Sequence, residues 1–126
     1  MPKKKEVVKS KFLKQFAIVF VVCIIATLID FIVHSSSPKF YVDLEYYRNK
    51  IIFATLWGMV SLFVFKKVKS VYKKAFIFSG VIALLLHVKY FFLGYDKFFV
   101  FLFLFLHFFM FLAPALILFK LYKELF

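Results

Sequence analysis

The sequence predicts an all-α integral membrane protein, built as an up-down bundle of four transmembrane helices. Three observations predict this fold. Of the 126 residues, 65% are hydrophobic and 24% aromatic, which is more apolar surface than a soluble domain of this size can bury. The apolar residues form four runs of about the length that crosses a bilayer. The 18 basic residues, which give a formal net charge of +12, lie mostly at the ends of these runs.

The four runs leave no room for a second domain, so the whole chain is predicted to be one transmembrane domain. We predict that residues 1–11 form a basic cytoplasmic tail and that residues 12–34 form the first span. This run is long and lacks a small-residue cleavage site, as a retained anchor does. The second span is predicted at residues 48–65, the third at residues 75–94 and the fourth at residues 97–119.

The distribution of lysine predicts the orientation of the bundle. Lysines are dense before the first run, between the second and third runs and after the fourth run. They are sparse in the other two connections, which also carry Asp43, Glu45 and Asp96. Because lysine-rich loops stay in the cytoplasm, both termini are predicted to be cytoplasmic in a multi-pass protein of the plasma membrane. The positive charge therefore indicates topology, and nucleic acid is not an expected partner.

In a bilayer, small and polar residues mark the packing face of a helix, because lipid gives no reason to bury large apolar ones. Each predicted span carries such a stripe at helical spacing. Five ionisable residues lie on these stripes and are predicted to line a polar pocket that opens to the outside: Asp30, His34, Lys50, His87 and His107. At about 1.5 Å per residue, Asp30 and His34 lie in the outermost turns, His87 about two turns deep and His107 about three turns deep.

An ionisable group inside a membrane costs at least about 2.5 kcal/mol on insertion scales, so such a pocket calls for a reason. Asp30 and His34 are one helical turn apart and can form an ion pair, a pair of metal ligands or a proton relay. With His87 and His107 they form a ligand set that suits zinc or iron, although no HExxH motif is present. His87 and His107 on consecutive antiparallel helices also fit bis-histidine ligation of haem b.

The alternative is a cluster without a cofactor, in which Asp30 pairs with Lys50 or Arg48 and the histidines bond one another. We expect this arrangement. Arg48, at the start of the second span, is predicted to anchor the helix at the interface, or to bind a lipid phosphate together with Lys89. Cys23 is the only cysteine, which excludes an intramolecular disulfide and a CxxC motif.

These observations predict a small transporter, a lipid carrier or a subunit of a membrane complex, with membrane lipids and further copies or subunits as partners. A non-enzymatic protein is expected, because the sequence contains no nucleophile elbow and no P-loop. The alternative is a metal- or haem-binding protein, including a metal-dependent lipid hydrolase, in which the cofactor is held by Asp30, His34, His87 and His107.

Two short segments, FLKQF at residues 12–16 and TLIDF at residues 27–31, resemble the first span of the GtrA-type family. Its members are small four-span proteins implicated in moving lipid-linked sugars, and the resemblance implies that class of function. The two segments are about one helical turn farther apart than in that family. FKKVKSVYKK stands here in place of the family's basic aromatic motif after the second span, so no residue role is transferred.

Overall fold

The computed structural model describes residues 4–126, apart from the side chain of Val7. It contains four long helices: α1 (Lys4–Ser35), α2 (Leu44–Val64), α3 (Val71–Phe92) and α4 (Lys97–Leu121). There is no β-sheet within the described residues. The predicted all-helical fold with four helices is confirmed, and the first three residues of the predicted basic tail lie outside the described part.

The helices pack in a ring, in which each contacts its neighbours along the chain and α4 closes onto α1. The connections at residues 36–43, 65–70 and 93–96 are short, so consecutive helices run antiparallel. We call the end of the bundle that holds residues 36–43 and 93–96 the α1–α2 end. The opposite end, with residues 65–70, is the α2–α3 end.

Local sequence explains where α3 and α4 begin and where α3 ends. The Ser70 side chain accepts a hydrogen bond from the Lys73 backbone N–H at 3.4 Å, and the Asp96 carboxylate accepts one from the Phe99 N–H at 3.1 Å. Both residues are therefore N-caps. After α3, Gly94 takes a positive φ of 86°, a conformation that favours glycine and ends the helix.

Three helices, α1, α3 and α4, are long and apolar enough to cross a membrane. The first is longer than the predicted span, because the basic segment from Lys4 onward continues the helix instead of forming a separate tail. Helix α2 does not reach the same hydropathy, since it carries Arg48 and Lys50 in its first two turns.

The half of the core toward the α2–α3 end is closely packed around apolar side chains and a few buried hydroxyl groups. Gly58 brings α2 against α3, because a Cβ atom at this position would lie 2.5 Å from the Phe78 ring. It would also lie 3.2 Å from the side chain of Val19 on α1. Phe78 is fully buried, so its ring has little freedom to move aside.

The residues after α4 fold back onto the bundle through a short 3₁₀ turn, Lys123–Leu125. The Gln15 side-chain amide donates a hydrogen bond to the carbonyl of Leu125. The Lys74 ammonium donates one to the carbonyl of Phe126. These contacts join α1, α3 and the segment after α4 at the α2–α3 end.

Candidate functional site

The structure gathers all five residues of the predicted pocket into one buried cluster, to which every helix contributes. Helix α1 supplies Asp30 and His34, α2 supplies Lys50, α3 supplies His87 and α4 supplies His107. Their exposed fractions lie between 0 and 3%. We call these five side chains the polar cluster.

Asp30 is the centre of the polar cluster. The Lys50 ammonium donates a hydrogen bond to Oδ2 at 2.6 Å, and His107 Nε2 lies 2.9 Å from Oδ1. His34 Nε2 lies 3.3 Å from the same Oδ1 atom. The carboxylate therefore pairs with Lys50, whereas Arg48 is exposed and takes no part in the cluster.

The two deeper histidines form a chain that leads away from Asp30. His107 Nδ1 and His87 Nε2 are 2.6 Å apart, which is hydrogen-bonding distance. Because His107 donates its Nε2–H to Asp30, its Nδ1 is the acceptor and His87 donates from Nε2. His87 therefore lies behind His107. The four-ligand hypothesis requires His87 to face the same point as Asp30 and His34, and in this arrangement it does not.

The same contact bears on the haem hypothesis. An iron atom between two axial nitrogens holds them about 4 Å apart, twice a metal–nitrogen bond length. The facing nitrogens of His87 and His107 bond each other directly at 2.6 Å. The two nitrogens are therefore closer than a haem iron between them would allow, and bis-histidine ligation stays a prediction.

His34 presents an unpaired nitrogen to Asp30. Its Nδ1 bonds the carbonyl oxygen of Phe40, in the 3₁₀ turn Pro38–Phe40, so Nδ1 carries the hydrogen and Nε2 carries the lone pair. His34 Nε2 is buried, makes no hydrogen bond within the described residues and lies 3.3 Å from Asp30 Oδ1, where a protonated ring would form an ion pair. In the neutral ring two electron-rich atoms face each other, and a proton or a metal cation stabilises the contact.

Three of the predicted metal ligands converge. Asp30 Oδ1, His34 Nε2 and His107 Nε2 all lie within 4.8 Å of one another, and their residues are buried. With metal–ligand bonds of about 2.0–2.2 Å, neighbouring ligands of a tetrahedral zinc ion are about 3.3–3.5 Å apart. Two edges of the triangle, at 2.9 and 3.3 Å, are already close to that spacing.

Next to the polar cluster, a cleft of about 190 Å³ lies at the α1–α2 end, between α2 and α3. We call it the tyrosine cleft. It is lined by Asp43, Glu45, Tyr46, Asn49, Lys50, Lys89, Tyr90, Leu93 and Tyr95. The Tyr46 and Tyr90 rings stack at 5.4 Å. Lys50 is the member of the polar cluster that lines this cleft, so its side chain connects the two.

The predicted lipid-phosphate contacts, Arg48 and Lys89, are not brought together. Arg48 does not line the tyrosine cleft, whereas Lys89 does, with its ammonium 5.1 Å from the centre of the Phe53 ring. Asp43 and Glu45 line the same cleft, and their carboxylates disfavour a phosphate there. Phosphate binding by these two residues stays a prediction.

The depths counted from the loops differ from those in the structure, where Asp30 and His107 touch. Asp30 lies five residues before the end of α1, and His107 lies ten residues after the start of α4. Helix α4 therefore extends beyond α1 at the α1–α2 end by about 7.5 Å, five residues at about 1.5 Å each. The offset seats Phe103 on the His34 ring, with ring centres 4.7 Å apart.

Two contributors to the site were missed from the sequence. Tyr46 places its hydroxyl 3.4 Å from His107 Nε2. Its position one helical turn before Lys50 is the signal that places it on the same face of α2. The Phe40 carbonyl, which holds His34, belongs to a loop backbone and has no signature in the sequence.

No protein family, no curated protein and no solved structure matches this chain. The geometry of the polar cluster is therefore the basis for the function.

Proposed function

We propose that this chain is a non-enzymatic four-span protein of the plasma membrane, with both termini in the cytoplasm, that binds a divalent transition-metal cation at the polar cluster and carries it across the membrane. The observation that carries the proposal is the convergence of Asp30 Oδ1, His34 Nε2 and His107 Nε2 within 4.8 Å. Two imidazoles and a carboxylate suit zinc, iron(II) and similar ions, with a position left open for a water or a passing ligand.

The surroundings of the two imidazoles support a metal site. A histidine that binds a metal commonly donates its other N–H to a carbonyl or another acceptor, which fixes the ring. His34 Nδ1 meets the Phe40 carbonyl in this way, and His107 Nδ1 faces His87 Nε2, to which it would donate if a metal took its Nε2. To bind a metal, His107 would lose its Nε2 proton to the solvent and take one at Nδ1 from His87 Nε2, and His87 would take up one proton from the solvent at Nδ1. The number of protons on the two rings is unchanged.

The helices enclose the polar cluster, which favours passage of a small ion over catalysis on an organic substrate. The adjoining tyrosine cleft, at about 190 Å³, is smaller than the pockets of about 300–1,000 Å³ that bury organic ligands. A second cleft at the same end, of about 340 Å³, is lined by Phe40 and Phe99, and neither cleft is lined by Asp30, His34 or His107. Toward the α2–α3 end, Thr27, Thr55 and Ser79 are buried and their hydroxyl oxygens make no hydrogen bond within the described residues. These oxygens offer polar partners to a cation that leaves the cluster.

The pairing of Lys50 with Asp30 supports a membrane-spanning role for α2 as well. Lys50 lowers the hydropathy of α2, but it is only 1% exposed and its charge is compensated by the carboxylate. Helix α2 packs between α1 and α3, both of which are apolar enough to span. The lysine-rich connection at residues 65–70 then lies on the cytoplasmic side, and the tyrosine cleft opens to the outside.

Zinc binding by the detergent-purified protein tests the proposal. We expect about one zinc ion per chain in wild type and none in His34→Phe, which keeps the aromatic contact with Phe103 but lacks the ligand nitrogen. His87→Phe is the matched control, because it changes a histidine that only supports His107, and we expect zinc to bind roughly 10- to 100-fold more weakly. Equal zinc content in wild type and His34→Phe would contradict the site.

The carrier role needs a second readout on the same proteins. Wild type reconstituted into liposomes that hold a zinc-sensitive dye should admit external zinc faster than liposomes with His34→Phe. Stoichiometric binding without influx would reject transport and leave a metal-binding membrane subunit. Influx that is equal in the two proteins would reject the polar cluster as the path.

A further inference from the structure

We infer that Lys50 is a built-in competitor of the metal: its ammonium group neutralises Asp30 when no metal is bound and moves into the tyrosine cleft when a metal binds. The inference rests on the proposed metal site, and it adds the residue that sets the affinity of that site and drives release of the ion.

The starting position of Lys50 makes it a competitor. Its Nζ lies 2.6 Å from Asp30 Oδ2, and both side chains are fully buried. A metal ion on Asp30 Oδ1, at a bond length of about 2.0–2.2 Å, would lie within about 6 Å of this ammonium. Two cations at that distance in a poorly hydrated site repel each other strongly. When a metal occupies the site, repulsion therefore favours a conformation in which the Lys50 ammonium lies farther from Asp30.

The structure offers such a position. Lys50 already lines the tyrosine cleft, where Asp43 and Glu45 supply exposed carboxylates. The lysine side chain has a flexible four-carbon stem, so rotation about its own bonds can move the ammonium into the cleft. The Tyr46 ring lies 5.8 Å from the ammonium and also lines the cleft, so a cation can move past its face.

The metal and the Lys50 ammonium compete for Asp30, so binding of one favours release of the other. When the metal leaves, the ammonium returns to Asp30 and the buried carboxylate does not remain without a partner. Because each cation weakens the affinity of Asp30 for the other, Lys50 lowers the metal affinity and favours release. A carrier needs this property, since an ion held too tightly does not leave.

Removing the charge of Lys50 tests the inference. Lys50→Gln keeps an N–H donor for Asp30 but no positive charge, and we expect it to bind zinc roughly tenfold or more tightly than wild type and to release it more slowly. Lys97→Gln is the matched control, because it removes an exposed cation at the same end of the bundle that lines neither the polar cluster nor the tyrosine cleft. It should bind zinc like wild type. Zinc affinity in Lys50→Gln that is equal to or weaker than wild type would overturn the inference.

A measurement on the wild-type protein does not depend on whether Lys50→Gln folds. Amine-reactive labelling followed by mass spectrometry should modify Lys50 several-fold faster at saturating zinc than in the presence of a chelator, because the ammonium enters the cleft. Labelling of Lys89 should not change in the same sense. Unchanged labelling of Lys50 in zinc-saturated protein would overturn the inference and leave the metal site intact. Failure of wild type to bind zinc would overturn the proposed function itself.

Discussion

The buried pair of Asp30 and Lys50 is predicted to be the most sensitive contact of the bundle. Asp30→Asn removes the negative charge at nearly constant shape and leaves Lys50 charged inside the core. At 2.6 Å and an effective dielectric constant of about 20, the attraction between the two charges is about 6 kcal/mol before desolvation is subtracted. Loss of one partner of a buried pair costs about 3–5 kcal/mol, a large part of the stability of a small protein.

The double variant Asp30→Asn, Lys50→Met separates charge from shape. It removes both charges, and the asparagine oxygen still accepts the hydrogen bond from His107. Replacement of a buried ion pair by neutral groups is commonly neutral or stabilising. We therefore expect the double variant to recover most of the stability that the single variant loses. Asp43→Asn is the control, because Asp43 is exposed and makes no side-chain cap bond, so its effect should stay within about 0.5 kcal/mol.

Cys23 provides the assay. It is the only cysteine of the chain and is 0% exposed, so a thiol reagent reaches it only when the bundle opens. The labelling rate in mild detergent, with a chelator present to exclude metal, reports the free energy of opening. An Asp30→Asn variant that labels within threefold of wild type would refute the reasoning, and so would a double variant no more stable than the single one.

Two further predictions concern packing and topology. Gly58→Ala should lower the free energy of unfolding by about 1–3 kcal/mol, because its Cβ would meet the buried Phe78 ring at 2.5 Å. Gly80→Ala, whose nearest contact would be 3.8 Å away, should be neutral or stabilising by up to about 1 kcal/mol, and equal losses for the two would contradict the packing. In a cysteine-free background, an impermeant maleimide added to intact cells should label Ser36→Cys but not Lys67→Cys; the reverse pattern would invert the topology.

Much of the fold could be predicted from the sequence, because the bilayer length and the helical period constrain it strongly. The four helices and the burial of Asp30, Lys50 and His107 follow from stripes of small and polar residues. Helix α2 is less hydropathic than the other three because of the charges in its first two turns. Helices α1, α2 and α3 begin before the predicted spans, whereas α4 begins at residue 97 like the predicted fourth span. In α1 the lysines of the predicted tail continue the helix.

The geometry of the polar cluster could not be predicted in the same way. Stripes show which face turns inward, but they do not show how far one helix is shifted along another. The shift of α4 past α1 brings His107 to the level of Asp30 and places His87 behind it. Packing between α1 and α4, where Phe103 stacks on the His34 ring, accompanies this shift. The identity of the third proposed metal ligand therefore depends on contacts that no single stripe contains.

His34 can serve the cluster in two ways. Asp30 accepts from Lys50 at Oδ2 and from His107 at Oδ1, and Oδ1 keeps a second lone pair toward His34 Nε2, 3.3 Å away. A proton on Nε2 would make this contact an ion pair, and a metal cation there would complete the proposed ligand triangle. Phenylalanine at this position would keep the stacking on Phe103 but would lose the bond to the Phe40 carbonyl and the contact with Asp30. The same nitrogen thus serves an ion pair or a metal, and the zinc content of wild type compared with His34→Phe decides between the two.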